Sequence, residues 1–171
     1  MPTGISSDFA LHAGPPSSPM PTFAEERHLP YSQKQLFDLV ADVERYPEFL
    51  PWCTACRVTK RENQLIEADL LVGFKMLRER FTSRITLNAP DSIQVEYLDG
   101  PFRYLNNHWI FKPIENDCVI DFFIDFEFRS RLLQRLIGPL FTEAVHRMVS
   151  AFDNRALALY GPEAKGTSAT A

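Results

Sequence analysis

The last long apolar-periodic segment, from Ser130 to Tyr160, constrains the fold of this chain most, because it is the only stretch with the pattern of a long helix. Apolar residues recur there at steps of three and four, and polar residues such as Glu143 and Arg147 fall on the opposite side. This spacing predicts that one stripe of the helix is buried. The predicted stripe comprises Leu133, Ile137, Phe141, Ala144, Val145, Met148, Phe152, Ala156 and Leu159.

Gly138 and Pro139 interrupt this pattern. Proline lacks the backbone N–H and its ring clashes with the preceding turn. We therefore expect a kinked or broken helix at this point, with the longer half after it.

Composition excludes several classes of protein. The 171 residues are 45% hydrophobic, which is enough for a sizeable core and excludes disorder of the whole chain. With 18 basic and 22 acidic residues the net charge is -4, which disfavours binding to DNA or RNA. Three cysteines predict a reducing compartment rather than a set of disulfides. No apolar run reaches the ~18 residues that a membrane-spanning helix needs.

The ends of the chain are polar and rich in small residues. Residues 1–21 are predicted to be a disordered leader and residues 162–171 a disordered tail. The segment between them, 22–161, is predicted to be one ligand-binding domain.

The first part of that segment predicts a strand and then a helix. Thr22 to Leu29 has the pattern of a short strand, and Ser32 with Gln35 has the spacing of a capping box. The stretch from Tyr46 to Trp52 is predicted to be a short turn or helical piece over the mouth of the core.

Between Cys53 and Phe128, turn-forming residues separate runs in which apolar and polar residues alternate. These runs predict six or seven antiparallel strands, counting the leading one. The fold class is therefore α+β, with a curved antiparallel sheet wrapped around the long C-terminal helix. A ligand would lie between the two layers.

Two polar residues share a strand face with apolar neighbours, namely Glu79 and Asn107. A buried carboxylate or amide needs hydrogen-bond partners. One interpretation is a partly polar, hydrated cavity. The other is that Glu79 lies near a strand end and that Asn107 hydrogen-bonds to unpaired backbone groups at a β-bulge.

Other motifs are weaker. Cys53 and Cys56 have CxxC spacing, but no second pair completes a zinc site, so no metal is predicted. Arg78, Arg80 and Arg84 form a row on an outer strand face, which would pair with carboxylates such as Asp121 or Asp125, or touch phosphate. His108 and His146 are interpreted as solvated residues.

Five segments together resemble the coenzyme Q-binding START-domain family. They are YSQKQLFDLVADVERYPEFLPWC, ERFTSRI, LNNHWIFKP, CVIDFFIDFEF and VHRMVSAFDNRALALYG, which spread over nearly all of Thr22 to Gly161. The resemblance implies a helix-grip fold, related to polyketide cyclases and lipid-transfer domains, with a deep apolar cavity between sheet and helix.

The resemblance also implies a function. It implies a non-enzymatic protein that holds ubiquinone in support of respiration, with no catalytic cofactor, located in the cytoplasm or at the inner face of the respiratory membrane. Some bacterial relatives are instead described as RatA-type toxins that act on the ribosome, and the acidic balance here disfavours that alternative. A second alternative is an enzyme of the cyclase or dehydratase type that uses Glu79 as acid or base.

The predicted binding site combines an apolar wall with a few polar contacts. The wall comprises Leu70, Val72, Phe74, Phe81, Trp109, Phe111, Phe122, Ile124, Met148 and Phe152, and the polar contacts are Glu79, Ser83 and Asn107.

A separate surface is predicted at the start of the C-terminal segment. Leu132 and Leu136 exceed what one buried stripe can hold, and they lie beside Arg131 and Arg135. This combination suits transient contact with an anionic membrane. A homodimer contact is the alternative that the pattern allows equally.

Overall fold

A computed structural model describes residues 22–162 of the chain. The strands are β1 (Thr22–Leu29), β2 (Cys53–Glu62), β3 (Leu65–Phe74), β4 (Leu77–Asn88), β5 (Ser92–Asp99), β6 (Phe102–Ile114) and β7 (Asp117–Phe128). The helices are α1 (Gln33–Ala41), α2 (Tyr46–Phe49), α3 (Arg131–Ile137) and α4 (Phe141–Tyr160), with 3-10 turns at Val43–Arg45 and Gly138–Leu140. The predicted leader, and the predicted tail beyond residue 162, lie outside the described residues.

The strands form one curved, open antiparallel sheet in the order β1-β7-β6-β5-β4-β3-β2. Consecutive strands from β2 to β7 are neighbours, as hairpins require, and β1 pairs along its length with β7. The predicted α+β class and helix-grip arrangement are confirmed.

The alternating sequence pattern determines which face of each strand is buried. On β7, Phe122, Phe126 and Phe128 are buried and face the helix layer, while intervening acidic residues lie on the outer face. Phe102 of β6 stacks on Phe128 with ring centroids 4.7 Å apart. Burial of these aromatic side chains contributes to the hydrophobic stabilisation between the layers.

The capping box that the sequence predicts is present at the start of α1. The Ser32 side chain accepts a hydrogen bond from the Gln35 backbone N–H, and the Gln35 side chain accepts one from the Ser32 N–H. These bonds satisfy two donors that the first turn would leave unpaired. The cap thereby fixes where the chain turns from β1 into α1.

The C-terminal helix is interrupted where Gly138 and Pro139 predict it. A 3-10 turn separates the seven-residue α3 from the twenty-residue α4. α4 is anchored at several points, because Asp153 pairs with Arg27 of β1 and Arg155 pairs with Glu48 of α2 at 3.0 Å. The Tyr160 hydroxyl also donates to the Gln35 carbonyl of α1 at 2.9 Å.

Two details of the sequence analysis are wrong. Leu159 was placed in the buried stripe of the helix, but it is half exposed, and in the last turn it is Tyr160 that packs inward, with its ring centroid 5.8 Å from that of Tyr31. The outer arginines do not pair with Asp121 or Asp125 of β7. Arg80 pairs with Asp69, and Arg84 with Glu67, because β3 is the strand adjacent to β4.

Gly100 in the turn between β5 and β6 cannot be replaced without strain. Its φ is 137°, and a Cβ atom there would lie 2.8 Å from the Arg80 carbonyl oxygen and 2.8 Å from the Phe81 Cβ. Only glycine adopts this conformation at low cost. The turn is therefore pressed directly against β4, next to the inward-facing Phe81.

Candidate functional site

A cavity with two connected chambers lies between the concave face of the sheet and α4. The outer chamber has a volume of about 140 Å³ and the inner one of about 100 Å³. Trp52, Phe81, Leu105, Ile124 and Met148 line both, so the chambers meet at these residues. Sites for drug-sized ligands usually measure ~300–1,000 Å³. A larger ligand therefore requires the walls to move apart.

The outer chamber is enclosed by apolar side chains from the sheet and both C-terminal helices. Phe74 and Leu77, which flank the turn of the β3–β4 hairpin, line it together with Ile137 of α3 and Phe141 of α4. The described lining of this chamber contains no charged residue. Such a wall suits a hydrocarbon chain or ring.

The inner chamber adds polar atoms of two kinds. Asn107 and Trp109 satisfy one another, because the Trp109 indole N–H donates to the Asn107 carbonyl oxygen at 3.2 Å. The Asn107 amide then donates to the Phe123 backbone carbonyl at 2.8 Å. This pair belongs to the wall of the chamber, and its hydrogen-bonding capacity is largely used within the protein.

Ser83 and Trp52 differ from that pair. Ser83 lines the inner chamber with only 1% of its surface exposed, and its Oγ has no hydrogen-bond partner among the described residues. The Trp52 Nε1 is also buried without a partner, and its ring lines both chambers. A buried polar group left unpaired costs about 1–3 kcal/mol. Both groups can donate a hydrogen bond.

Most residues predicted from the sequence to bind a ligand do line the cavity. Those that do are Leu70, Val72, Phe74, Phe81, Ser83, Asn107, Trp109, Phe122, Ile124, Met148 and Phe152.

Phe111 and Glu79 do not line it. Phe111 lies under α1, where its ring contacts Phe37 at 5.6 Å. Glu79 has the inward parity that the sequence indicates and pairs in register with Val72, but it lies near the turn of the β3–β4 hairpin and is partly exposed. Partial hydration removes the need for a buried partner.

Several lining residues were missed by the sequence analysis. From the sheet they are Leu77, Ile85, Ile93, Val95, Phe102, Leu105, Phe126 and Phe128, and from the helices and connections they are Val40, Val43, Tyr46, Leu50, Trp52, Ile137, Phe141, Ala144 and Val145. The strand residues could have been found from the same alternation. The contribution of Trp52 could not, because its position depends on how the loop after α2 folds back over the sheet.

Cys53 and Cys56, the CxxC pair, are poorly suited to thiol or metal chemistry. Burial raises the pKa of the Cys53 thiol to about 11 and that of the Cys56 thiol to about 12. Neither is a thiolate at neutral pH, and the thiolate is the reactive and metal-binding form. Residues 22–162 contain no cluster of His, Cys, Asp and Glu that could hold a metal ion.

The end of the molecule beside the outer chamber combines exposed apolar side chains with arginines that lack ion pairs. Met76 at the β3–β4 hairpin tip is 95% exposed, and Leu132 and Leu136 of α3 are 67% and 50% exposed. Among residues 22–162, the lysines and arginines that form no ion pair are Arg57, Arg78, Arg129, Arg131 and Arg135. Four of these five lie in the hairpin or at α3. We call Met76, Leu132, Leu136 and these four arginines the mouth surface.

A curved antiparallel sheet that grips a long C-terminal helix over an apolar cavity defines the helix-grip, START-like class of protein. Residues 29–153 match the family model described as polyketide cyclase / dehydrase and lipid transport, and the chain belongs to that family. The family resemblance noted in the sequence is thereby confirmed. No helix in the described part of the chain is long and apolar enough to span a bilayer.

Relatives in this family carry two kinds of name. The chain is 45% identical over 134 residues to the ribosome association toxin RatA of Pseudomonas aeruginosa, covering 78% of this chain and 93% of that protein. It is 35% identical over 144 residues to the mitochondrial coenzyme Q-binding protein COQ10 homolog B of Xenopus laevis, covering 81% of this chain and 59% of that protein.

One solved structure is similar in both sequence and fold. The solution structure of the 18 kDa protein CC1736 from Caulobacter crescentus has a TM-score of 0.68 and 36% identity, and the alignment covers 84% of this chain and all of that one.

Proposed function

We propose that this protein is a non-enzymatic member of its family that binds an apolar ligand between sheet and α4 and associates with the ribosome. The observation that carries the first part is the two-chambered cavity, whose wall is almost wholly apolar. The described lining holds no acid, base or nucleophile beyond Tyr46 and the Ser83 hydroxyl. Burial raises the pKa of Tyr46, whose hydroxyl donates to the Val40 carbonyl, so it is poorly suited to proton transfer.

The enzyme alternative depended on Glu79. That carboxylate stands outside the cavity lining, so it is not positioned to exchange a proton with a buried substrate. This placement supports a binding protein over a cyclase or dehydratase.

The relatives' names support ribosome association as the cellular role. The chain is more similar to RatA of P. aeruginosa than to the coenzyme Q-binding protein of X. laevis, by 45% against 35% identity. The sequence analysis ranked these two roles in the opposite order because of the acidic net charge. Net charge describes the average surface, however, and the unpaired arginines of the mouth surface form a local basic patch that an RNA backbone would attract.

Sedimentation with ribosomes tests this role. We expect the native protein to sediment with ribosomes at low ionic strength and to be released by added salt. Arg131→Gln combined with Arg135→Gln should weaken the association, while Arg45→Gln combined with Lys34→Gln, which removes two cations on the α1–α2 side, should not. Ribosome association that does not depend on salt concentration would argue against a role for the mouth surface. Equal weakening by both double variants would argue against it as well.

Ubiquinone binding is the second candidate role, and the X. laevis relative's name and the apolar cavity favour it. Mass spectrometry of lipids that co-purify with the native protein separates the two candidates. Recovery of ubiquinone would support the second role, and recovery of no apolar molecule from the native protein would count against ligand binding altogether.

We further propose that a membrane surface is where the cavity exchanges its ligand. α3 and the β3–β4 hairpin form two borders of the outer chamber, and both present exposed apolar side chains flanked by arginines that lack acidic partners. This chemistry matches an anionic bilayer, in which apolar side chains enter the acyl layer and guanidinium groups meet phosphates. A homodimer contact through the same leucines is the competing explanation.

A further inference from the structure

Two unpartnered hydrogen-bond donors, Ser83 Oγ and Trp52 Nε1, lie in the wall of an otherwise apolar cavity. Ser83 is 1% exposed, so its hydroxyl is removed from bulk solvent at the innermost part of the sheet. Buried donors normally have an acceptor, and the same chamber contains an example: the Trp109 indole N–H donates to the Asn107 carbonyl oxygen. The two donors are therefore exceptions within their own site.

The sheet geometry explains how Ser83 reaches the chamber. Ser83 lies between Phe81 and Ile85 on the inward face of β4, and it pairs in register with Tyr97 of β5. A bulge interrupts the β4–β5 pairing between Thr82 and Ser83, where β5 carries one residue more than β4. Bulges re-aim side chains and are frequent next to functional sites.

Trp52 reaches the same chamber from the connection between α2 and β2. It follows Leu50 and Pro51 at the end of the α2 connection, and its carbonyl accepts a hydrogen bond from the Gly73 N–H at 2.8 Å. That bond fixes the loop against β3, so the indole is held over the junction between the two chambers. The donors thus come from two separate elements that border one space.

We propose that Ser83 and Trp52 form a polar recognition site for an apolar ligand that carries hydrogen-bond acceptors, such as the carbonyl oxygens of a quinone or an ester. The ligand's acceptor group would lie in the inner chamber and its hydrocarbon part in the outer one, whose described lining contains no charged residue. This rests on the proposed function, since it needs a ligand in the cavity. Of the three polar contacts predicted from the sequence, it keeps Ser83, and it replaces Glu79 and Asn107 with Trp52.

Because an unpaired buried donor is destabilising, the two roles of Ser83 predict opposite effects of its removal on the stability of the ligand-free protein. Removing a donor that is unsatisfied without ligand relieves a desolvation penalty, whereas removing a merely structural hydrogen bond lowers stability. Ser83→Ala should therefore leave the thermal midpoint of the ligand-free protein unchanged or raise it, while weakening ligand binding. If the serine were purely structural, Ser83→Ala would lower the thermal midpoint and leave ligand binding unchanged.

Tyr97 provides the matched control. Its hydroxyl is likewise buried without a partner, and it is the cross-strand neighbour of Ser83, but its ring packs on Phe102 and it does not line the cavity. Tyr97→Phe removes the same type of group from the same part of the sheet. It should not change ligand binding.

The experiment compares two probes by native mass spectrometry or calorimetric titration, a short-chain prenyl 1,4-benzoquinone and a prenylbenzene with the same tail. We expect the wild type to prefer the quinone. Ser83→Ala and Trp52→Phe, which keeps an aromatic ring but lacks the N–H, should each weaken quinone binding about tenfold, as loss of one hydrogen bond implies. Neither should affect the prenylbenzene.

Three results would overturn the inference in different ways. Equal binding of both probes, unaffected by the variants, would remove the recognition site while leaving the apolar cavity as the binding site. Weakening of quinone binding by Tyr97→Phe to the same extent would show a general loosening of the sheet. If neither probe binds the wild type, the proposed ligand-binding function itself fails, and the inference with it.

Discussion

At the scale of single residues, the outer face of the sheet is held by charge pairs between neighbouring strands. Asp69 of β3 is buried, and it accepts hydrogen bonds from the Thr82 hydroxyl at 2.7 Å and from Arg80 at 2.5 Å. The bond from Thr82, and then the one from Arg80, lower the pKa of the Asp69 carboxyl below its ordinary value of 3.8. The ionised form is therefore favoured in the folded protein.

This shift predicts how stability depends on pH. A carboxyl whose pKa is depressed by folding contributes its full stabilisation above the unfolded value of 3.8, and that contribution is lost as pH falls through the folded value. Asp69→Asn should lower the free energy of unfolding by about 1 kcal/mol at pH 7. The difference from wild type should shrink below about pH 3.8. Urea unfolding at several pH values measures this, and a difference that is constant with pH would contradict it.

The partners of these arginines show the limit of what residue patterns can predict. Alternation correctly places Arg80 and Arg84 on the outer face, because the period of a strand is two. It cannot tell which strand lies beside β4. In the sheet, β5 and β6 separate β4 from β7, so Asp121 and Asp125 are out of reach and the β3 carboxylates are the neighbours.

At the scale of elements, the mouth surface can be tested with conservative changes on α3. Leu132→Gln combined with Leu136→Gln removes exposed apolar area without adding charge. We expect weaker binding to anionic vesicles and slower transfer of a short-chain prenyl benzoquinone, with a nearly unchanged thermal midpoint, because both side chains are already exposed. Vesicle flotation and a stopped-flow transfer assay measure these quantities.

The far end of α4 supplies the control for this prediction. Leu157 and Leu159 are exposed to a similar degree, 48% and 50%, but they do not border the cavity. Leu157→Gln combined with Leu159→Gln should leave vesicle binding intact. If the α3 variant changes the mass by sedimentation without changing vesicle binding, the leucines form a dimer contact instead.

The elements differ in how much of them the sequence predicts. The break at Pro139 and the excess leucines of α3 follow from local chemistry, and the structure has both. That Met76 belongs to the mouth surface does not follow from local chemistry. It depends on the β3–β4 register, which places the hairpin tip beside the outer chamber. For Glu79, parity gives the face of the strand, but its position near the hairpin turn also depends on the β3–β4 register.

At the scale of the whole molecule, the cavity is small for the ligands that its class suggests. Its chambers of about 140 and 100 Å³ must widen to hold a prenylated ring. Binding still stabilises the fold, because a ligand that binds only the folded state contributes about 2.7 kcal/mol at a concentration of 100 times Kd. A short-chain prenyl benzoquinone should then raise the thermal midpoint by about 5–10 °C.

A cavity-filling variant distinguishes binding inside the protein from adsorption to its surface. Ala144 lines the outer chamber, so Ala144→Leu occupies part of the space that the tail would fill. The variant should show a smaller increase in midpoint at the same probe concentration. An identical increase in both proteins, measured by differential scanning calorimetry, would place the probe elsewhere.

The 3-10 turn between α3 and α4 separates a short, mostly exposed helix from a long helix that is anchored to the rest of the fold. α4 is anchored to β1, α1 and α2 and supplies part of the cavity wall, whereas Ile137 is the only buried residue of α3. Substitutions on the exposed side of α3 can therefore change the molecular surface without changing the cavity wall. The surface of α3 can thus diverge within the family while the cavity is kept, and the family includes relatives named for ribosome association and for coenzyme Q binding.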